Sequence, residues 1–197
     1  MNNGYRIDIQ KPIIKTEIMK KIILITMLYV SAIGISQEKK ISKTGKITFE
    51  ASVPSFEEVL ATNTNVTFVL NTATGEIASL ALMKGFRFKV ALMEEHFNEN
   101  YIESDQYPKA IFKGKIQDFA LNSLTTGPQD FIIKGKLELH GKVKDITAKA
   151  RISMSGSGIS IVSNFDVNAS DFNIAIPSVV KNKVSNEINI QIVAILK

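Results

Sequence analysis

Cysteine and tryptophan are absent from the 197 residues, and histidine occurs only twice. Without cysteine this sequence can hold no disulfide, thiolate metal site, cysteine nucleophile or cysteine-linked lipid anchor. The redox compartment stays undecided, since exported chains can also lack cysteine. A metal site needs several donors at suitable spacing, and neither His96 nor His140 has them. His140 falls on the polar face at a strand end and reads as a solvated side chain. Glu94 and Glu95 are adjacent, so on a helix they point to different sides and make a poor acid/base pair. There is no Gly-x-Ser-x-Gly elbow and no Walker loop. Gly156-Ser157-Gly158 reads as a turn. The expectation is a protein with no catalytic residues, no metal and no cofactor.

Charge of one sign is also scarce once the chain is divided. The formal net charge is +5. Residues 1–36 carry Arg6, Lys11, Lys15, Lys20 and Lys21 against Asp8 and Glu17, which leaves 19 bases and 17 acids in the rest. No basic stripe is evident there, so no nucleic-acid partner is expected.

Long apolar runs are missing too. Ile22 to Ile35 is the main one, and it is too short to cross a bilayer comfortably. Met19-Lys20-Lys21 precedes it, and the small residues Gly34 and Ser36 stand at −3 and −1 of a cut before Gln37. Residues 19–36 therefore read as a secretory signal peptide, with no stable membrane span after cleavage. The alternative is an anchoring helix that stays attached. Residues 1–18 are unusual ahead of a signal and read as an upstream over-extension, with the true start at Met19. Residues 37–197 form one domain.

What is present is period two. Ile47, Phe49, Ala51 and Val53 alternate with polar neighbours, as do Val66, Phe68 and Leu70. So do Ala110, Phe112, Gly114 and Ile116, then Phe131, Ile133, Gly135, Leu137 and Leu139. Ile146, Ala148, Ala150, Ile152 and Met154 follow, then Ile159, Ile161, Phe165 and Val167, and last Ile188 to Leu196. Such alternation sets one face in an apolar interior and the other in water, as in antiparallel strands. Asn71 to Gly75, Gly127-Pro128 and Gly156 to Gly158 supply turn chemistry between runs. Helix is expected only at Ser55 to Leu60 and at Ala91 to Asn100.

The fold is therefore all-β, either a sandwich or a barrel. Many inward positions are small: Ala51, Ala110, Gly114, Gly135, Ala148, Ala150 and Ser163. Beside Phe49, Phe68, Phe112, Phe131 and Phe165 they would leave an elongated apolar lumen in a closed barrel. Interdigitation of small and large residues into a dry core is the competing arrangement. Phe86, Phe88, Phe97, Tyr101 and Tyr107 form an aromatic-rich stretch that either plugs one end of the core or gates a ligand portal.

That stretch carries a resemblance. Met93, His96, Phe97, Asn98, Tyr101, Glu103, Ser104, Tyr107 and Pro108, with Phe112, Gly114 and Ile116 behind them, resemble a block of the YceI-like family of exported lipid-binding proteins. Leu137, Leu139, His140, Gly141, Val143, Lys144 and Ile146 are similar to a second block. Phe172, Ile174, Ile176 and Pro177 are similar to a third. The resemblance implies an eight-stranded antiparallel lipocalin-like barrel with one or two short helices. It implies a bound polyisoprenoid, quinone or fatty-acid-like amphiphile as partner, held for transport, storage or sequestration. It favours the periplasm over secretion. Only Arg87 and Arg151 lie beyond the leader, which argues against a strong pyrophosphate clamp. The ligand-binding candidates are Phe49, Phe68, Phe86, Phe88, Phe97, Tyr101, Phe112, Phe131, Gly135, Ala148, Ala150 and Phe165. The competing function is an exported structural or adhesive β-domain with no small ligand. Whether two copies pair into a homodimer is left open by the sequence.

Overall fold

The computed structural model describes Glu38–Lys197. The leader and over-extension expected over residues 1–36 lie outside the described residues. Nine strands run in chain order: β1 (Lys39–Ser52), β2 (Leu60–Asn71), β3 (Glu76–Leu82), β4 (Arg87–Phe88), β5 (Lys109–Ile116), β6 (Gln129–Leu139), β7 (Lys142–Ser155), β8 (Gly158–Asn168) and β9 (Val184–Leu196). Every pairing is antiparallel, and every long strand pairs with its sequence neighbours. Pairing of β9 with β1 closes the sheet into an eight-stranded up-and-down barrel. Closure removes the unpaired edges that an open sheet would expose.

β4 is a two-residue stub, not a barrel stave. β3 pairs with β2 only over Thr67–Leu70, then turns away to pair along the length of β5. β4 takes the vacated β2 edge, with Ala61 opposite Phe88 and Thr62 opposite Arg87.

The seven alternating runs lie in barrel strands, except that Val53 falls just past the end of β1. The eighth stave is β3, which they do not include. Its inward residues are Ile77, Ser79 and Ala81, while Leu80 and Leu82 face out, so its pattern does not alternate cleanly. Ser55 to Leu60 is a loop and the start of β2, not a helix. Ser55 sits in the left-handed region at φ 73°, which interrupts helical continuation. The loop is tied back by Ala51 N to Val59 O and Val59 N to Ser52 Oγ. Ala91 to Asn100 is helical as expected: α1 (Ala91–His96) runs on into a wider π turn, Phe97–Tyr101. Ile102 N closes that turn on Phe97 O.

The two ends of the barrel differ. At the end where β2 meets β3 and β7 meets β8, the interior is solid. Val66, Leu70, Ile116, Ile152, Ile159 and Leu196 are all fully buried there. The β5–β6 connection crosses this end and buries Leu124, with Phe119 and Leu121 packed against the same core. Met154 N bonds to Thr125 O, and Gln129 holds Thr125 N and Ser123 O, which pins the connection in place. Met154, two residues beyond Ile152 in the same row and opposite the buried Ile159, is 37% exposed because it stands at the very end of the barrel. The opposite end is framed by the β1–β2 loop, the long β3–β5 connection with α1, the His140-Gly141 turn and the β8–β9 connection.

Candidate functional site

A cavity of about 390 Å³ occupies the open half of the barrel, within the size range of small-molecule sites. Its walls come from the inward rows of the strands. β1 gives Ile47, Phe49 and Ala51; β9 gives Ile188, Ile190 and Ile192. β7 gives Ile146 and Ala148; β8 gives Ile161, Ser163, Phe165 and Val167. The closed-end residues Val66, Leu70, Ile116, Ile152, Ile159 and Leu196 lie below it and do not line it. The void is thus a blind pocket rather than a tunnel.

Its chemistry is apolar with a polar rim. Within the wall, Ser163 gives its hydroxyl hydrogen to Lys149 O at 2.7 Å and is already satisfied. Glu57, His96, Lys183 and Ser185 line the cavity only where it opens. An uncharged tail fits the interior, and a polar head fits the rim.

Most of the candidate residues lie on this wall. Phe49, Phe68, Phe112, Ala148 and Phe165 reach it from barrel strands. Phe86, Phe88, Phe97 and Tyr101 reach it from the β3–β5 connection. Three candidates do not. Phe131 and Ala150 share the inward row but sit too near the closed end; Phe131 packs against Phe119 with ring centroids 6.3 Å apart. Gly135 pairs with Gly114 across β5 and β6, and the Phe112 ring lies over both. A Cβ on Gly135 would come within 2.4 Å of Lys113 O and 2.6 Å of the Phe112 ring. The glycine pair makes room for Phe112, which takes its place on the wall.

Four phenylalanines form a cluster at the mouth. Phe49 lies 5.3, 5.7 and 5.3 Å from Phe86, Phe88 and Phe97. Phe97 also meets Phe86 at 6.1 Å and Phe88 at 5.2 Å. Tilted and edge-on pairs of this kind are worth about 0.5–1.5 kcal/mol each beyond burial. The cluster fastens the β3–β5 connection to β1. Arg87 bonds to Glu94 Oε1 at 2.8 Å, and Phe88 N donates to Glu94 Oε2, which ties α1 to β4.

His140 is not solvated. Its side chain is only 9% exposed. Nδ1 faces Phe172 O at 3.0 Å, Nε2 lies 2.8 Å from Glu103 Oε2, and the Tyr107 ring meets the imidazole edge-on at 4.3 Å. It thereby joins the β6–β7 turn to both long connections at the mouth. With Gly141 it forms a two-residue hairpin turn in which both residues have positive φ. Its partners lie 32 and 37 positions away, so strand periodicity alone gives no sign of them.

The candidate set also left out part of the wall. Ile174, Ile176, Val180 and Lys183, from the β8–β9 connection, line the mouth. Their stretch has no regular period. The signal available was the Phe172 to Pro177 block. Among the described residues no His, Asp and Glu side chains gather in threes as metal ligands, and no helix is long and apolar enough to cross a membrane.

The barrel geometry recurs in known structures. A polyisoprenoid-binding domain from Saccharophagus degradans, implicated in plant cell wall breakdown, superposes with a TM-score of 0.71 at 14% identity. That match covers 82% of this chain and 99% of the other. Burkholderia cenocepacia BcnA gives 0.63 at 15% identity, over 76% and 94% of the two chains. The Campylobacter jejuni YceI protein gives 0.51 at 17% identity, over 68% and 81%. At these identities the likeness is one of fold. No curated protein sequence matches significantly. The YceI-like domain profile matches residues 30–196, well over half of the chain, and on that match the chain belongs to the YceI-like family.

Proposed function

We propose that this protein is a non-catalytic carrier that holds the tail of a long-chain isoprenoid, or an amphiphile of similar shape, in its blind apolar cavity. One observation carries the reading: a pocket of about 390 Å³ walled mainly by hydrocarbon side chains, with Ser79 and Ser163 the polar members of its strand wall, closed at one end and charged at its rim. The polyisoprenoid-binding domain among the structural neighbours supports the choice of ligand class. Burial of a tail contributes about 0.8 kcal/mol per methylene, so ten methylenes give roughly 8 kcal/mol before the entropy of association is subtracted. Such a site selects by tail length more than by tail identity, because depth is its fixed dimension.

The rim favours a head of low charge. Arg87 is engaged by Glu94, and Lys84 by Asp105; Lys183 is the lysine that lines the cavity among the described residues, with Glu57 on the same rim. A titration of delipidated protein with a dansyl-labelled long-chain fatty acid, followed by displacement with a polyprenol, tests the reading. Saturable enhancement that the polyprenol reverses supports it; no enhancement removes it. The signal-like sequence of residues 19–36 supports export to the periplasm. N-terminal sequencing of the chain from a periplasmic fraction should begin at Gln37, and recovery only in the cytoplasm would exclude export.

A further inference from the structure

Large apolar side chains stand in water where the cavity opens. Phe56, Leu92 and Val179 are 44%, 57% and 80% exposed, and the last two are the most exposed large apolar residues among the described residues. Each is the chain neighbour of a residue that lines the cavity: Phe56 of Glu57, Leu92 of Met93, Val179 of Val180. They sit on three separate connections, the β1–β2 loop, α1 and the β8–β9 connection, and these three frame one mouth. Single exposed apolar residues are ordinary on any surface. Three on the connections that frame one apolar mouth, from segments distant in sequence and each next in the chain to a lining residue, set exposed apolar surface around the opening without lining the cavity.

A bilayer is the partner that fits this rim. A tail that crosses from membrane to pocket through water must expose its methylenes on the way, at a cost proportional to their number. A mouth seated on the membrane avoids that exposure. The charges on the same connections agree with apolar seating. Apart from the ion-paired Lys84, Arg87, Glu94, Glu103, Asp105 and Asp171, these connections carry Lys89, Lys181 and Lys183 against Glu57, Glu58, Glu95 and Glu99, so no surplus of positive charge draws the rim to anionic head groups.

We infer that the rim is a membrane-docking surface: Phe56, Leu92 and Val179 enter the interfacial layer of a bilayer and seat the mouth against it, so that a tail passes directly between bilayer and cavity. The inference rests on the lipid-holding reading given above.

The absence of tryptophan makes the test direct. Single reporters are placed in the full chain at the rim (Phe56→Trp, Leu92→Trp, Val179→Trp) and at the closed end (Met154→Trp, Ile195→Trp), where the native side chains are 37% and 41% exposed. Each variant is mixed with phosphatidylcholine vesicles carrying brominated acyl chains. The rim reporters should shift to the blue and be quenched, with little response to salt, and the closed-end reporters should not. Unquenched rim reporters, or five reporters quenched alike, overturn the inference. A rim reporter that shifts with protein concentration in the absence of vesicles assigns the rim to a second copy and overturns it too.

The variant F56S/L92S/V179S separates docking from binding. It should take a dansyl-labelled fatty acid from solution with wild-type affinity, yet draw it from vesicles slower by on the order of tenfold or more. Unchanged transfer from vesicles refutes docking and leaves the binding reading standing. If the unaltered chain takes up no fatty acid from solution, the binding reading fails, and the quenching pattern still decides docking.

Discussion

Replacing Ala148 by phenylalanine sets a benzyl ring in the cavity, whereas the same change at Ala150 sets it in solid core. Both alanines are inward on β7 and almost fully buried, at 6% and 3% exposure. They differ only in depth. Ala148 stands on the cavity wall opposite Ile133 on β6; Ala150 stands opposite Phe131, below the floor. In Ala148→Phe the ring takes the room of roughly four methylenes of a bound tail, so about 3 kcal/mol of burial is lost and affinity falls on the order of 100-fold. The fold should change little, since the ring enters free space. In Ala150→Phe the ring is added off the cavity wall, within the buried core cluster and beside Phe131, where overpacking costs about 1–3 kcal/mol. For a domain of this size that lowers Tm by about 2–4 °C per kcal/mol. Binding is read by displacement of a dansyl-labelled fatty acid and stability by thermal melting. Wild-type affinity in Ala148→Phe, or a stability loss equal to that of Ala150→Phe, would refute the placement of the cavity floor between the two residues.

Three further outcomes follow from the geometry. Gly135→Ala should destabilise by about 1–3 kcal/mol, because its Cβ meets Lys113 O at 2.4 Å and backbone cannot yield as a side chain can; a melting curve equal to wild type would contradict this. Phe97→Ala removes the ring that touches Phe49, Phe86 and Phe88, and should cost about 2–4 kcal/mol and speed ligand release in stopped-flow. Retained stability with unchanged release would mean the cluster holds nothing. His140→Ala should loosen both connections it joins, with faster amide exchange at residues 102–108 and 169–174 and a stability loss of about 1–3 kcal/mol; faster exchange confined to the β6–β7 turn would show that it does not join them.

Sequence periodicity told which way residues point but not how far along the barrel they lie. Phe131 and Ala150 lie on the inward face but off the cavity wall. Alternation carries no coordinate along the barrel axis, and the floor is set by how neighbouring strands and the β5–β6 connection crowd together. β3 was illegible because Ser79 faces in and Leu80 and Leu82 face out, which reverses the usual contrast. Gly135 looked like space, since a glycine without its neighbours does; the Phe112 ring that fills the space is visible only once β5 and β6 are paired. His140 looked solvated because its contacts are made by two connections remote in sequence. Of the small inward residues Ala51, Ala110, Ala148 and Ser163 lie on the cavity wall, and the aromatic block lies where the cavity opens.

The central claim is that the barrel holds a lipid-like tail. Native mass spectrometry of gently purified protein tests it most directly. The account predicts a bound hydrophobic species, one per chain, released by organic solvent and excluded by Ala148→Phe. A bare chain mass, with no adduct retained after incubation with polyprenol or long-chain fatty acid, would contradict it.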